Sequence, residues 1–430
     1  MAANTLEIGA DNFESEVLAH AGPVAVDFYS TECPPCEALA PKYEAVAELY
    51  GHDVKFVKIF RQGNRELAER LAVRGSPTVL FFDGGSEVGK RLSGGIKRSE
   101  LVHELDALVP ASRVEAIHGA VRPTETSCDV LILGAGPAGV TAGIYSAQAK
   151  LRTLMVDVGL GGGNLAITHM VSNFPGFPAP QPGYLLAHQM LEHAKAAGVE
   201  TRFAAELTQV DLEALRVVLD GVETIVAKKI ILATGSSPRP IGVTGEKEYK
   251  GKGISYCATC DAKYTEDKHV VVIGGGNSAI EEALFISRFA AKITVVHQFA
   301  ELHANALAQE RAFADPKIGF LFEHEPREFL ARNGKTVDGV VIENLKTGER
   351  TTLDCDSVFI FAGMQPNLDT VTGDLELDVQ GYVKVDPEMR TNLPGVYAAG
   401  DIVSKRFRQM TTAVSDGTIA SMSLAKELAA

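Results

Sequence analysis

The sequence predicts an α/β protein built from three compact modules, and three observations carry that prediction. Short apolar, strand-like runs alternate with helical patterns along most of the chain. Two glycine-rich loops, Gly134-Ala135-Gly136-Pro137-Ala138-Gly139 and Gly274-Gly275-Gly276-Asn277-Ser278-Ala279, each join a strand-like run to a helix-like one. Two Cys-x-x-Cys pairs, Cys33-Pro34-Pro35-Cys36 and Cys257-Ala258-Thr259-Cys260, stand in different settings, one after an apolar run and one between the two glycine loops. At 430 residues the chain is long enough for two or three domains, each with its own core.

Residues 1–110 read as one α/β unit. Val24–Tyr29, Val54–Ile59 and Val79–Phe82 are apolar enough to be buried strands, and Glu37–Leu49 reads as a helix that Pro41 should kink. The stretch 111–126 mixes small and polar residues with prolines and reads as a linker, part of it helical. Cys128–Leu133, the first glycine loop, a helix over Ala138–Lys150 and the strand Leu154–Val158 then form a βαβ unit. Asp157 follows the glycines by about 20 residues, which completes a dinucleotide-binding fingerprint. Gly134, Gly136 and Gly139 permit the tight turn and a close approach of pyrophosphate, and the helix N-terminus supplies N–H donors. Asp157 is then the acceptor for a ribose. The same design recurs over His269–Ile273, Gly274, Gly276, Asn277, Ser278 and Ala279, a helix over Ile280–Phe289 and the strand Ile293–Val296. One such loop is a weak signal; two copies, each between strand and helix, are a strong one.

Composition narrows the function classes. A formal net charge of −14 argues against nucleic acid or an anionic membrane as partner. No apolar run approaches the ~20 residues that span a bilayer. The start, Met1-Ala2-Ala3-Asn4-Thr5-Leu6-Glu7, has no basic region before an apolar one, so no signal peptide is read and a cytoplasmic location is expected. Cys-x-x-Cys beside βαβ patterns indicates redox chemistry. The competing reading, a four-cysteine zinc site, requires pairs more than two hundred residues apart to meet, and no metal is expected. Cys128 and Cys355 read as buried small apolar residues.

The N-terminal unit resembles thioredoxin. Asp27 stands six residues before Cys33, as the family's buried acid does; Pro77 matches its cis-proline and Pro41 its helix kink. The unit departs from the family at Glu32 and Pro34-Pro35, where Trp and Gly-Pro are usual. Residues 127–430 resemble low-molecular-weight, bacterial-type thioredoxin reductase. The stretches that carry this are the two glycine loops, Gly161-Gly162-Gly163-Asn164-Leu165, Asn173-Phe174-Pro175-Gly176, Ala233-Thr234-Gly235, Cys257–Asp261, Gly395–Asp401 and Arg408-Gln409-Met410.

The resemblance implies a thioredoxin fold followed by a two-domain Rossmann-like FAD/NAD(P) flavoprotein disulfide reductase. FAD would lie on 127–238 and 361–430, with an NAD(P) domain carrying the dithiol inserted over 241–360. Cys260 would lie against the flavin, Cys257 would attack the partner disulfide, and Asp261 would supply a proton to Cys260. In the first module Cys33 would be the nucleophile at a helix N-terminus, Cys36 the resolving thiol and Asp27 the proton acceptor for Cys36. Asp401 would hold the flavin ribitol, and Arg408, Gln409 and Met410 would approach the isoalloxazine edge. Asn164, Leu165, Asn173, Thr234 and Gly235 complete the cofactor set. A rotation of the inserted domain would present the dithiol first to the flavin and then to its partner.

The sequence breaks the family pattern after the second βαβ unit. Members that use NADPH carry His-Arg-Arg and a further Arg four residues on, which clamp the 2′-phosphate. Here the stretch is His297-Gln298-Phe299-Ala300-Glu301-Leu302-His303-Ala304, with all three arginines absent. The expected donor is therefore NADH rather than NADPH, with Gln298 or His297 near the ribose. The reading is a thioredoxin–thioredoxin reductase hybrid, a homodimer by family analogy. Electrons pass through FAD and Cys257/Cys260 to Cys33/Cys36, in the same chain or in the dimer mate, and on to protein disulfides such as a peroxiredoxin's. Two alternatives stay open: a ferredoxin-dependent flavoprotein, and a peroxiredoxin donor like the flavoprotein subunit of alkyl hydroperoxide reductase.

Overall fold

The structure is a computed structural model that describes residues 5–168, 170–171 and 173–429. The start Met1–Asn4, where no leader is read, lies outside the described residues. The chain divides into two compact units. The first comprises 1–166, 185–235 and 368–430; the second comprises 167–184 and 236–367.

The first unit opens with a five-stranded sheet in the order Thr5–Ile8, Lys55–Phe60, Val24–Tyr29, Thr78–Asp83, Ser86–Ser93. Val24–Tyr29 is central, parallel to Lys55–Phe60 and antiparallel to Thr78–Asp83. A strand with neighbours on both edges and helices on its faces must be apolar throughout, and Val24, Ala25, Val26 and Phe28 are fully buried. The helix Pro34–Tyr50 contains Pro41 and buries Leu39, Tyr43, Val46, Ala47 and Tyr50 on one face. That spacing is the helical period of an amphipathic element.

The stretch 111–126 holds a helix and the start of a strand. Ala111–Ala120 is a helix, and its Ile117, with Val114, packs into the core of the N-terminal module. The three-residue spacing of Val114 and Ile117 puts both on one helix face, a pattern too short to stand out in a polar stretch. A strand begins already at Thr124, so only Val121, Arg122 and Pro123 lie between the two elements.

The remainder of the first unit is built on a seven-stranded sheet. Its parallel part runs Glu200–Arg202, Thr153–Val156, Thr124–Leu133, Glu223–Leu232. Val396–Ala398, from beyond the interrupting segment, pairs in parallel with Ile230–Leu232 and returns the chain to this sheet. The helices Pro137–Gln148 and Met410–Ala429 cover one face. Their approach depends on Gly417, where a Cβ would stand 2.2 Å from the Ala138 carbonyl oxygen.

The second unit holds a five-stranded parallel sheet, Ile254–Ser255, Ser357–Ile360, His269–Ile273, Lys292–His297, Ile318–Phe322, beside an antiparallel three-stranded one over 324–354. Its helix Asn277–Ile286 packs Ala279, Ile280, Ala283 and Ile286 on the parallel sheet. Asn173 and residues 361–367, expected with the FAD module, group with this unit. Among the described residues no helix is long and apolar enough to cross a membrane.

Gly417→Ala should force the two covering helices apart, because its methyl group meets backbone rather than a movable side chain. The expected cost is about 1–3 kcal/mol, read as a lowered melting temperature with weakened flavin retention; a wild-type melting curve would contradict the close approach.

Candidate active site

The two dithiols share one local geometry. Each first cysteine is the extended residue preceding a helix, and its sulfur accepts a hydrogen bond from the amide of its partner. The Cys36 N–H donates to Cys33 Sγ at 3.3 Å, and the Cys260 N–H to Cys257 Sγ at 3.2 Å. Each pair closes as a disulfide, with Cα atoms 5.2 and 5.4 Å apart. An amide N–H aimed at sulfur stabilises the thiolate over the thiol.

In the N-terminal dithiol, Cys33 and Cys36 are nearly buried, and Cys33 Sγ lies 3.6 Å from the Ser76 carbonyl oxygen. The Ser76–Pro77 peptide is cis, as the position of Pro77 implied. Asp27 is 2 % exposed and its Oδ1 has no hydrogen-bond partner. Burial pushes its pKa up to about 7, against a smaller opposing pull from Lys58. A strand-end acid bathed in water is thus ruled out, because the central strand places this carboxyl inside the core. A carboxyl that titrates near neutrality in a dry site is suited to pass protons.

In the second dithiol, Cys257 is half-buried and Cys260 exposed. Asp261 ends the short helix Ala258–Asp261, and its Oδ2 accepts from Ser255 Oγ at 2.6 Å. The same hydroxyl accepts from the Cys257 N–H at 3.1 Å. Ser255 thereby ties the acid to the dithiol backbone, a role that sequence reading missed because a lone serine ahead of the motif carries no pattern.

The first glycine loop forms a cradle. Gly134 has φ +108°, and a Cβ there would stand 2.2 Å from the Ala233 carbonyl oxygen. Gly136 caps the helix Pro137–Gln148, and a Cβ at Gly139 would stand 1.9 Å from the Gly134 carbonyl oxygen. Asp157 accepts from the Ala135 and Gly159 N–H groups, both at 2.7 Å, so it also braces the loop. Gly163 and Asn164 open the helix Gly163–Ala166, and Leu165 is buried. Thr234 and Gly235 follow the strand Glu223–Leu232 after Ala233.

Asp401 Oδ1 is buried with no hydrogen-bond partner, and burial raises the Asp401 pKa. An acceptor held this way fits a flavin ribitol hydroxyl. Arg408 lies over the Tyr382 ring, 3.6 Å from its centroid, and donates to the Asp401 and Val403 carbonyl oxygens at 3.2 Å. Its guanidinium therefore braces the backbone of Asp401. The Gln409 N–H donates to Thr412 Oγ1, and Met410 begins the final helix.

The second glycine loop borders a cleft of about 520 Å³, lined among others by Gly274–Gly276, Gln298, Phe299, His303 and Arg327. Gly274 has φ +130°, Gly276 caps the helix, and Ala279 is buried beneath it. Asn277 Oδ1 accepts from the Asn305 N–H at 2.6 Å, while Ser278 is exposed. His297 is 6 % exposed and packs beneath the loop; a Cβ on Gly275 would stand 2.5 Å from its ring. Burial lowers its pKa, and its Nε2 lies 3.1 Å from the Glu301 carbonyl oxygen. His297 thus supports the loop, which leaves Gln298 as the polar side chain of the expected pair at the rim. Phe299 and His303 stand ring to ring, centroids 5.0 Å apart. Arg327 is engaged by Glu325 at 2.9 Å and Glu343 at 3.2 Å.

A chain with two dinucleotide cradles and a dithiol in one of its units is a pyridine nucleotide–disulfide oxidoreductase by architecture. Comparison with known proteins agrees: residues 128–417 match the family of pyridine nucleotide-disulphide oxidoreductases, and residues 4–107 match thioredoxin. Thioredoxin reductase from Peptoclostridium acidaminophilum is 42% identical over 303 residues, 69% of this chain and 95% of that protein. That from Bacillus subtilis (strain 168) is 41% identical over 296 residues, 69% of this chain and 93% of its own length. Among solved structures, Lactococcus lactis thioredoxin reductase in its FR conformation is similar at TM-score 0.67 and 37% identity, covering 70% of this chain and 99% of that one. The T. acidophilum thioredoxin reductase is similar at TM-score 0.66 and 33% identity, covering 71% of this chain and 99% of that one. The chain belongs to the thioredoxin reductases, as an FAD-dependent thioredoxin-disulfide reductase with a thioredoxin domain at its N-terminus.

Folding lifts the Asp27 pKa from 3.8 to about 7, so the folded module holds this proton more tightly than the unfolded chain. Its stability is full below pH 3.8 and falls as pH rises through about 7. Asp27→Asn should remove that loss and raise the unfolding free energy of the oxidised module at pH 8 by up to about 4 kcal/mol. Denaturant unfolding at pH 5 and pH 8 checks this; a pH difference equal to that of the wild type would contradict it.

Proposed function

We propose that the chain relays two electrons from NADH through its flavin to Cys257/Cys260, then to Cys33/Cys36, and finally to protein disulfides. The observation that carries the relay is the matched pair of dithiols, each with a first sulfur held by the amide of the second. The Gly134 cradle and Asp401, whose buried Oδ1 has no partner, would hold FAD, which when bound would supply the link between a reduced nicotinamide and the dithiol.

The exchange balances within the chain's own sulfurs. Cys257 thiolate attacks Cys33; the Cys257–Cys33 bond forms, and Cys36 leaves with a proton from Asp27. Cys260 then attacks Cys257, closing that disulfide and releasing Cys33 as a thiol. Asp261, which accepts from Ser255, would move the proton of Cys260. The donor and acceptor dithiols belong to one chain or to the two chains of a dimer. Reduced Cys33 in turn attacks an external disulfide, a peroxiredoxin's among them.

The assignment of Cys257 as the attacking thiol rests on family analogy, since Cys260 is the more exposed of the two. Cys36→Ser should trap a Cys33–Cys257 mixed disulfide during turnover, detected by peptide mapping. Recovery of a Cys33–Cys260 link instead would reverse the two roles, and no link at all would remove the relay.

Preference for NADH rests on the cleft chemistry. Gln298, Phe299 and His303 occupy the three arginine positions, and Arg327 is neutralised by Glu325 and Glu343. A charge-assisted hydrogen bond contributes about 1.5–3 kcal/mol, so NADH should lead in kcat/KM by at least tenfold. Gln298→Arg with Phe299→Arg should narrow the ratio by roughly tenfold to a hundredfold. An NADPH-preferring wild type, measured by anaerobic flavin bleaching with each nucleotide, would overturn this reading.

A further inference from the structure

We propose that the thioredoxin domain has a parking site on the FAD-binding domain, occupied through the very helix that carries its dithiol, with Lys42 as the bolt. Both domains lie within the first compact unit. Lys42 sits on the helix Pro34–Tyr50, two turns beyond the dithiol. Its Nζ donates to the Phe203 carbonyl oxygen at 2.9 Å and that of Ala204 at 2.6 Å, both on the FAD-binding domain. A third bond, at 3.3 Å, goes to the Ile96 carbonyl oxygen of its own domain. An ammonium has three donors, and here backbone carbonyls take all of them.

Further contacts surround this bolt. Glu37, one residue past the dithiol, pairs with Lys195 at 2.8 Å. Lys97 faces Glu206 at 3.9 Å. Ala38 packs against the core cluster of the FAD-binding domain, and a Cβ at Gly95 would stand 3.4 Å from the Leu160 side chain. The helix turn that follows the Cys33–Cys36 bond therefore faces the FAD-binding domain, and the seated position restricts the approach of a protein substrate to it.

The seat is releasable by construction. Its hydrogen bonds and ion pairs are few, and a cavity of about 730 Å³, lined by Pro34, Lys42, Arg98, Arg202, Asp220 and Glu223, lies between the two surfaces. Permanent interfaces are apolar and close-packed, whereas wet, polar ones part readily. Val121, Arg122 and Pro123, between the helix and the strand, supply the hinge. Parked and free positions of the domain then alternate, and the free one serves disulfide substrates. Only this last step rests on the relay proposed above.

The test uses the full-length, FAD-loaded, oxidised protein, in which both dithiols are closed and Cys128 and Cys355 are buried. Gly95→Cys with Leu160→Cys, treated with a short bismaleimide, should crosslink within one chain, and neither single variant should do so. The crosslinked protein should lose at least tenfold in turnover of insulin disulfides, with its flavin reduced by nucleotide within twofold of the untreated rate. Separately, Lys42→Met should speed alkylation of reduced Cys33 at least threefold. An absent crosslink together with unchanged alkylation would overturn the parking site. A crosslink that forms but leaves insulin turnover intact would show that the seated domain is productive, and would overturn parking without touching the relay. Should the double variant not fold, the alkylation rate of Lys42→Met alone decides, and a wild-type rate refutes the proposal.

Discussion

A backbone amide at the start of a helix organises each reactive position in this chain. Cys33 and Cys257 both stand just before a helix with the second cysteine's amide on the first sulfur. Gly136 and Gly276 stand at the same point of their own helices, where first-turn N–H groups have no partner within the helix. One local solution, a strand turning sharply into a helix, thus recurs at the two dithiols and at the two glycine loops. The parallel sheets exist to hold those turns in place, since a buried strand fixes where its last residue ends and the next helix begins.

That constraint explains the positions where an added side chain would clash. The turn needs backbone to pass within contact distance of backbone, so Gly134 and Gly274 take positive φ against the neighbouring strand's carbonyl. It also needs support from below, which Asp157 gives the first loop through two N–H groups and His297 gives the second by lying under Gly275. Buried polar groups beside these turns are left short of partners where chemistry is due. Asp27 Oδ1, beside the first dithiol, and Asp401 Oδ1 are both buried with no hydrogen-bond partner.

The short span between the thioredoxin and FAD-binding domains gives this architecture a second character. A free thioredoxin meets its reductase by diffusion, but here helix Ala111–Ala120 is folded into the first domain and three residues remain before the next strand. Carriage on so short a hinge confines the dithiol to a small volume, in which local concentration is set by geometry. Charged pairs such as Glu37–Lys195 then decide which surface it visits.

Much was legible in the sequence because it is written in local patterns. Glycine spacing, Cys-x-x-Cys, an acid six residues ahead of a dithiol and the absence of three arginines each depend on neighbours within a few turns of chain. They determined the fold class, the two cradles and the two dithiols. Tertiary structure alone decided what depends on residues distant in sequence. Residues 111–120 of a polar stretch pack as a helix because Val114 and Ile117 found a core to enter. Ser255 became the partner of Asp261, Arg408 turned back onto Asp401, and Lys42 reached two carbonyls more than 160 residues away. Asp27 could be placed in a strand by pattern. Only the sheets and helices packed around it removed the water and carried its pKa to about 7, because desolvation is a property of the whole surrounding and not of any motif.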